Sequence, residues 1–189
     1  VAYVVLTAPV YQATALIQVE PKKSDMLGFS DVGSLLGKES PTVTEIELIR
    51  SRTTIGTAVD NLNLDLEVSP KRFPLMGDFI ARRFKPAEPH AVAAPWLGMD
   101  SYGWGGEALK FTHLRLPPEL LGQALTLVAG TGNHFTLLDQ DANLLLEGQV
   151  GRYYESGGIK LQIEALQANP GTQFSVVRSS RLSSILRYQ

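Results

Sequence analysis

Six short runs of strand-forming residues, separated by turn residues, fill positions 107–178 and constrain the fold of this chain most strongly. Short strands at close, regular spacing predict a β-rich antiparallel module, sandwich-like or barrel-like. The most regular alternation begins at Ile159, where we expect Ile159, Leu161, Ile163 and Ala165 to face the core. The predicted strands cover 109–116, 124–129, 134–138, 144–150, 159–166 and 173–178.

The part before this module has a mixed pattern that predicts an α/β unit over 11–85. Residues 11–20 alternate as a half-buried strand does, and 64–69 do so again. Residues 42–62 predict a helix, with Thr42 and Thr44 each followed three positions later by a glutamate in the manner of a capping box. A shorter helix is predicted over 74–84, so the fold class of the whole chain is α+β.

Three further segments complete the organisation. Residues 86–106 are rich in proline, glycine and aromatic residues and form a linker or an ordered loop. Residues 1–10 are nearly all apolar, which fits either a buried strand or the last turns of a membrane helix. Residues 179–189 carry apolar positions at helical spacing and predict the start of a longer helix.

Composition excludes several classes of function. The net charge of −2 lacks the basic excess of a nucleic-acid binder, and the absence of cysteine excludes thiol chemistry and cysteine-ligated zinc. No catalytic, phosphate-binding or dinucleotide motif is present, so we assign no catalytic residue, metal ligand or cofactor. The spacing of His90, His113 and His134 does not indicate a metal site.

The segment 139–143 resembles the opening of a calcium-binding loop. Such a loop needs glycine at its sixth position and glutamate at its twelfth. Leu144 and Val150 occupy those positions here. The segment is therefore predicted to be a hairpin turn, because aspartate and asparagine favour turns by bonding their own backbone.

Two groups of residues are candidate contact sites. Trp96, Tyr102 and Trp104 lie in a glycine-rich stretch, and their faces either stack on sugar rings or cover the core between two subdomains. Arg50 and Arg52 follow the apolar stripe of the predicted helix, where they either grip carboxylates at a subunit interface or remain solvated. We group these arginines with Glu45 and Glu47 as candidate inter-subunit contacts.

Several ordered segments resemble one protein family. The chain is similar to the periplasmic domain of Wzz-type polysaccharide co-polymerases, and most similar to the Wzc-type exopolysaccharide tyrosine autokinases. The segment Thr44-Glu45-Ile46-Glu47-Leu48-Ile49-Arg50-Ser51-Arg52 carries the most specific resemblance. The other matching segments are 9–20, 31–37, 59–65, 73–77 and 170–185.

The resemblance implies a location and a set of partners. Residues 1–10 become the juxtamembrane end of the first transmembrane helix, 11–85 a membrane-proximal Wzz-like α/β unit, and 107–178 an additional module. The protein is then periplasmic here, anchored in a bacterial inner membrane, and homo-oligomeric in full-length form. Its partners are a polysaccharide polymerase, an outer-membrane export protein and, as a candidate, the nascent polysaccharide.

The function implied is regulation of chain length and export of an exopolysaccharide or capsule by ring-like oligomeric scaffolding. A kinase domain, where the full-length protein has one, lies outside these residues, so the fragment itself is expected to be non-enzymatic and to need no cofactor. The alternative is a carbohydrate-binding module that contacts the nascent polysaccharide. A third hypothesis is a glycan hydrolase, which would need two carboxylates at one site. Carboxylates such as Asp139 and Glu155 are present, but the sequence does not show which of them would lie together.

Overall fold

The computed structural model describes residues 52–188, which contain three α-helices and eight β-strands. This confirms the α+β class. The helices are α1 (Arg52–Leu62), α2 (Gly77–Arg83) and α3 (Arg181–Tyr188). The strands are β1 (Leu66–Pro70), β2 (Ala108–Arg115), β3 (Ala124–Ala129), β4 (His134–Leu138), β5 (Leu144–Gln149), β6 (Tyr153–Ser156), β7 (Ile159–Gln167) and β8 (Gln173–Arg178).

The strands form two antiparallel sheets. One has five strands in the order β1-β8-β3-β4-β5, and the other has three in the order β2-β7-β6. Tight turns join the hairpins, and residues with positive φ make the reversals possible, such as Asn133 (φ 66°) between β3 and β4 and Gly158 (φ 79°) between β6 and β7. The antiparallel pairing predicted from the sequence is thus confirmed.

Both sheets contribute to one hydrophobic cluster. In β3 and β8 every second residue is buried, so that each strand presents one face to the core. Leu127 and Phe174 from the larger sheet and Leu161 and Ile163 from the smaller one are at most 1% exposed. Whether these layers amount to a sandwich or a barrel stays a prediction.

Two details of the smaller sheet differ from the sequence-based expectation. Strand β6 was not predicted, because four residues without clear alternation give no period-two signal. The inward position predicted for Ala165 is wrong, since this residue is exposed. The register between β2 and β7 shifts on either side of Phe111, and a shift of one residue exchanges the two faces of a strand.

Strand β1 belongs to the larger sheet. It pairs with β8 along its whole length, from Leu66 opposite Arg178 to Pro70 opposite Phe174. Burial explains why β1 joins this sheet, because Leu66 and Val68 pack against the hydrophobic cluster. The sequence had grouped this strand with the preceding helix in the segment 11–85.

The described residues divide into two compact units. The larger unit is Asp65–Ser180, and the chain enters and leaves it at neighbouring points. The backbone N–H of Ser179 donates to the carbonyl of Asp65 at 2.7 Å. Beside that bond, Arg178 Nη2 lies 2.7 Å from Asp65 Oδ2, and both side chains are largely buried.

The smaller unit holds α1 and α3. Val59 and Ile185 are buried, and a Cβ at Gly56 would lie 2.5 Å from Arg181 Nη2, so the Arg181 side chain packs closely against this glycine. Arg181 binds both carboxylate oxygens of Asp60 at 3.0–3.1 Å. Within residues 52–188, no helix is both long enough and apolar enough to cross a membrane.

Candidate functional site

An aromatic cluster inside the larger unit is the most distinctive arrangement of side chains. Its centre is Trp104, whose ring centroid lies 5.9 Å from Phe73, 6.0 Å from Trp96 and 6.4 Å from Tyr102. Phe73 also meets Tyr102 edge-on at 5.4 Å. These separations are those of favourable aromatic pairs, each adding about 0.5–1.5 kcal/mol beyond area burial.

The members of this cluster differ in exposure. Trp104 is 1% exposed, and its indole Nε1–H donates to the carbonyl of Met99 at 3.1 Å, so its polar atom is already satisfied. Trp96 is 48% exposed and leaves much of its ring available to solvent. Tyr102 is half-buried, with Lys71 Nζ 5.4 Å from its ring centroid.

A buried carboxylate holds the loop that carries Trp104. The side chain of Glu107 is inaccessible and lies 2.6 Å from Arg72 Nη1. It also accepts hydrogen bonds from the backbone N–H groups of Trp104 (2.6 Å) and Gly105 (2.9 Å). Burial alone raises the pKa of a carboxyl group, but the hydrogen bonds from the backbone and from Arg72 outweigh it. The pKa of Glu107 therefore lies below its ordinary value.

Two glycines let the chain pass close to neighbouring groups in this loop. A Cβ at Gly105 (φ 143°) would lie 2.4 Å from Phe84 Cβ, and one at Gly106 (φ 84°) would lie 2.3 Å from the carbonyl oxygen of Ala91. Only glycine combines this φ with such close approach. The segment 86–106 is consequently an ordered loop where it borders the cluster.

Helix α2 faces this loop across an open pocket of about 460 Å³. Asp78 in the first turn and Arg82 and Arg83 in the last match the helix dipole, which explains why so short a segment is helical. The loop wall is fixed by Asn169 Nδ2, which donates to the carbonyl of Ala93 at 2.7 Å. The pocket is lined by Phe79, Ile80, Arg83, Phe84, Ala93, Ala94, Trp96 and Trp104.

The chemistry available in this pocket is that of binding. Its lining is apolar apart from Arg83, whose guanidinium carbon lies 4.7 Å from the centroid of the Phe79 ring. Apolar clefts with a few placed polar groups are typical of small-ligand sites. Within residues 52–188, no group of three or more histidines and carboxylates is placed to hold a metal ion.

The structure brings together the three aromatic residues singled out in the sequence. Trp96, Tyr102 and Trp104 form one cluster, and their role as a glycan contact stays a prediction. Phe73 and Glu107 were missed, although both flank proline- or glycine-rich positions where ordered loops are held by side chains. The contribution of α2 to the pocket was also missed. Its lining residues recur at the spacing of one helical face: Phe79, Ile80, Arg83 and Phe84.

The other candidate residues fall elsewhere. Glu45, Glu47 and Arg50 lie outside the described residues, and Arg52 is the first residue of α1. His90 forms a hydrogen bond with Gln167, and His134 forms one with Gln149. The ring of His113 lies beside the ring of Tyr153.

The segment 139–143 forms the predicted hairpin turn. Asp139 Oδ1 accepts hydrogen bonds from the backbone of Asp141 and of Asn143, both at 2.8 Å. Its Oδ2 accepts from the Asn143 side chain at 2.9 Å. These bonds from Asn143 lower the pKa of Asp139.

Comparison with known proteins places two family models in succession on the chain. The model described as chain length determinant protein, Wzz, matches residues 1–62, and the model described as tyrosine-protein kinase Wzc, N-terminal domain, matches residues 66–179. Residues 63–65 separate the two matches, and the larger structural unit begins within this gap, at Asp65.

Curated relatives match over nearly the whole chain. EpsB of Ralstonia solanacearum is 35% identical over 97% of this chain and 25% of its own length. The tyrosine-protein kinase etk of Escherichia coli is 34% identical over 98% of this chain and 23% of its own length, and the tyrosine-protein kinase wzc of Salmonella typhimurium is 32% identical over 100% and 24%. The chain thus spans about a quarter of the length of these relatives.

Proposed function

We propose, from the premise that this chain belongs to the family of Wzc-type tyrosine kinases and corresponds to their N-terminal region, that it is the periplasmic part of an inner-membrane polysaccharide co-polymerase. It regulates the chain length and export of an exopolysaccharide or capsule. The observation that carries this proposal is the succession of the chain-length-determinant and Wzc N-terminal matches on one chain.

The proposed mechanism is non-enzymatic scaffolding. Several copies of the full-length protein assemble into a ring, and its geometry influences how long the polymer grows. The partners are the polysaccharide polymerase and an outer-membrane export protein, and the kinase activity belongs to a region outside these residues. What supports this division is that the matched model describes the N-terminal domain of the kinase.

The larger unit is proposed to be a module inserted into this scaffold. Its support is that the chain enters and leaves at Asp65 and Ser179, whose backbones are hydrogen-bonded at 2.7 Å. We propose that its two sheets are the layers of a sandwich, in keeping with their shared hydrophobic cluster. We propose accordingly that β1, which the sequence placed in the segment 11–85, belongs with the module 107–178, because it pairs with β8.

The first test replaces residues 65–180 of the full-length protein with a short Gly/Ser linker. A short linker is long enough because the two ends of the unit are adjacent. The expected result is a shifted polysaccharide size profile at normal membrane levels of the protein. The matched control replaces only the exposed turn 139–143 with Gly/Ser residues and is expected to leave the profile unchanged.

The scaffold itself is tested by the oligomeric state. Full-length protein in detergent is expected to be oligomeric under conditions that preserve chain-length control. A protein that stays monomeric while it still sets polymer length would contradict scaffolding.

A second candidate function is carbohydrate binding by the larger unit. The observation that favours it is Trp96, whose half-exposed ring stands edge-on to Trp104 at 6.0 Å. Titration of the 189-residue chain with the cognate polysaccharide should then change tryptophan fluorescence, and Trp96→Ala should abolish the response. No change at millimolar sugar would count against this function.

A further inference from the structure

The pocket between α2 and the aromatic loop combines apolar walls with a single type of charge. Of its eight lining residues seven are apolar, and the eighth is Arg83. We infer that this pocket binds a single-chain anionic amphiphile, with the aliphatic chain against the aromatic walls and a phosphate headgroup on Arg83. This ligand class goes beyond the scaffolding proposed above and does not depend on it.

The walls favour an aliphatic chain over a sugar. The pocket volume of about 460 Å³ lies within the usual range for ligand sites, roughly 300–1,000 Å³. The indole N–H of Trp104 is already bonded to Met99, and the Asn169 amide to Ala93. Sugar hydroxyls placed deep in the pocket would find few partners there, and burying an unpaired hydroxyl is unfavourable.

The charge favours an acidic headgroup. The guanidinium carbon of Arg83 lies 4.7 Å from the centroid of the Phe79 ring, and this cation–π contact places the charge at the pocket wall. Arg83 is the one charged residue of the lining, and no acidic residue lines the pocket. The paired N–H donors of a guanidinium match the two-pronged geometry of a phosphate.

The test uses an internal reporter. Trp96 and Trp104 are the two tryptophans of the 189-residue chain, and both line the pocket, so tryptophan fluorescence reports its occupancy. We expect dodecyl phosphate, titrated below its critical micelle concentration, to give a saturable change. Decyl phosphate should bind up to about fifteenfold more weakly, since each buried methylene contributes about fourfold. Inorganic phosphate alone should give no response.

Two pairs of variants locate the headgroup and the chain. Arg83→Gln should weaken dodecyl phosphate binding about tenfold and leave neutral dodecyl maltoside unaffected, because a charge-assisted hydrogen bond is lost. Arg82→Gln, on the same helix but outside the lining, is the control. Ala94→Phe should abolish both responses by filling the pocket, whereas Ala165→Phe, on an exposed strand face, should abolish neither. Far-ultraviolet circular dichroism checks that every variant is folded.

Three outcomes would overturn the inference. One is equal affinity for the anionic and the neutral amphiphile in the unmodified chain. Another is an unchanged preference for the anionic amphiphile in Arg83→Gln. The third is a saturable response to an acidic oligosaccharide with none to dodecyl phosphate, which would assign the pocket to glycan instead.

Discussion

The sheets and the aromatic loop of the larger unit are stabilised in different ways. In the sheets, burial is spread over many equivalent positions, such as Leu125, Leu137 and Val176, each at most 1% exposed and each on an alternating strand. In the loop, the fully buried ring of Trp104 stacks on Phe73, and the buried carboxylate of Glu107 accepts the backbone N–H groups of Trp104 and Gly105. The comparison teaches that, in an irregular segment, a buried carboxylate can accept the backbone N–H groups that a neighbouring strand would pair in a sheet.

The largest effect is expected at the centre of the aromatic cluster. Trp104→Ala removes a fully buried ring and should lower the free energy of unfolding by about 3–5 kcal/mol. Trp96→Ala, at a half-exposed ring of the same type, is the control and should cost far less. Urea denaturation followed by circular dichroism measures both. Equal losses would show that the loop does not concentrate its stability at Trp104.

Removal of the buried charge should have the next largest effect. Glu107→Gln keeps the shape of the side chain but removes the buried carboxylate 2.6 Å from Arg72 Nη1 and leaves Arg72 only the exposed Asp78 at 4.0 Å, at a cost of about 2 kcal/mol in the free energy of unfolding. Glu155→Gln breaks an exposed pair with Lys160 and should have no measurable effect, because solvent screens it. A comparable loss at both positions would contradict the distinction between buried and exposed pairs.

Lowering the pH should gradually remove the stabilisation that the ionised Glu107 side chain contributes. Because the pKa of Glu107 is lower in the folded protein than its ordinary value of 4.5, its stabilisation is complete above that value and is lost as the pH falls through the folded-state pKa. The difference in unfolding free energy between the unmodified chain and Glu107→Gln should therefore shrink from pH 7 to pH 3. A difference that stays constant over this range would exclude the proposed titration.

A smaller effect is expected at the glycines. Gly105→Ala forces a Cβ to within 2.4 Å of Phe84 and should cost about 1 kcal/mol more than the control, Gly122→Ala. Both glycines have positive φ, but nothing lies within 4 Å of a Cβ at Gly122. Thermal unfolding measures both variants, and identical shifts would mean that neither the contact with Phe84 nor the φ of 143° at Gly105, against 79° at Gly122, adds a cost.

The regular strands of the larger unit are the part of the fold that the sequence predicts well. The bounds of β3, β4 and β8 were predicted residue for residue, because alternation along a strand is a local signal. The hairpin turn over 139–143 was predicted from another local signal, the preference of aspartate and asparagine for turns. The inward position predicted for Ala165 was wrong, because a register shift is set by the partner strand and is not visible in the alternation of one strand.

The candidate site could be predicted only in part. The aromatic residues near position 100 were visible as a cluster in the sequence, but their partners were not. Glu107 meets Arg72 from 35 positions away, and Asn169 meets Ala93 from 76 positions away. Such contacts depend on how the sheets bring distant segments together, and no spacing rule encodes them.

The neighbouring ends of the larger unit have a mechanical consequence. Leu66 and Arg178 are opposite each other at the point where β1 begins and β8 ends. A pull that separates Asp65 from Ser179 acts perpendicular to these strands and loads their hydrogen bonds one after another rather than all at once. The unit should therefore open like a zipper at low force, and tension along the chain would peel β1 away before it disturbed the rest of the sheet.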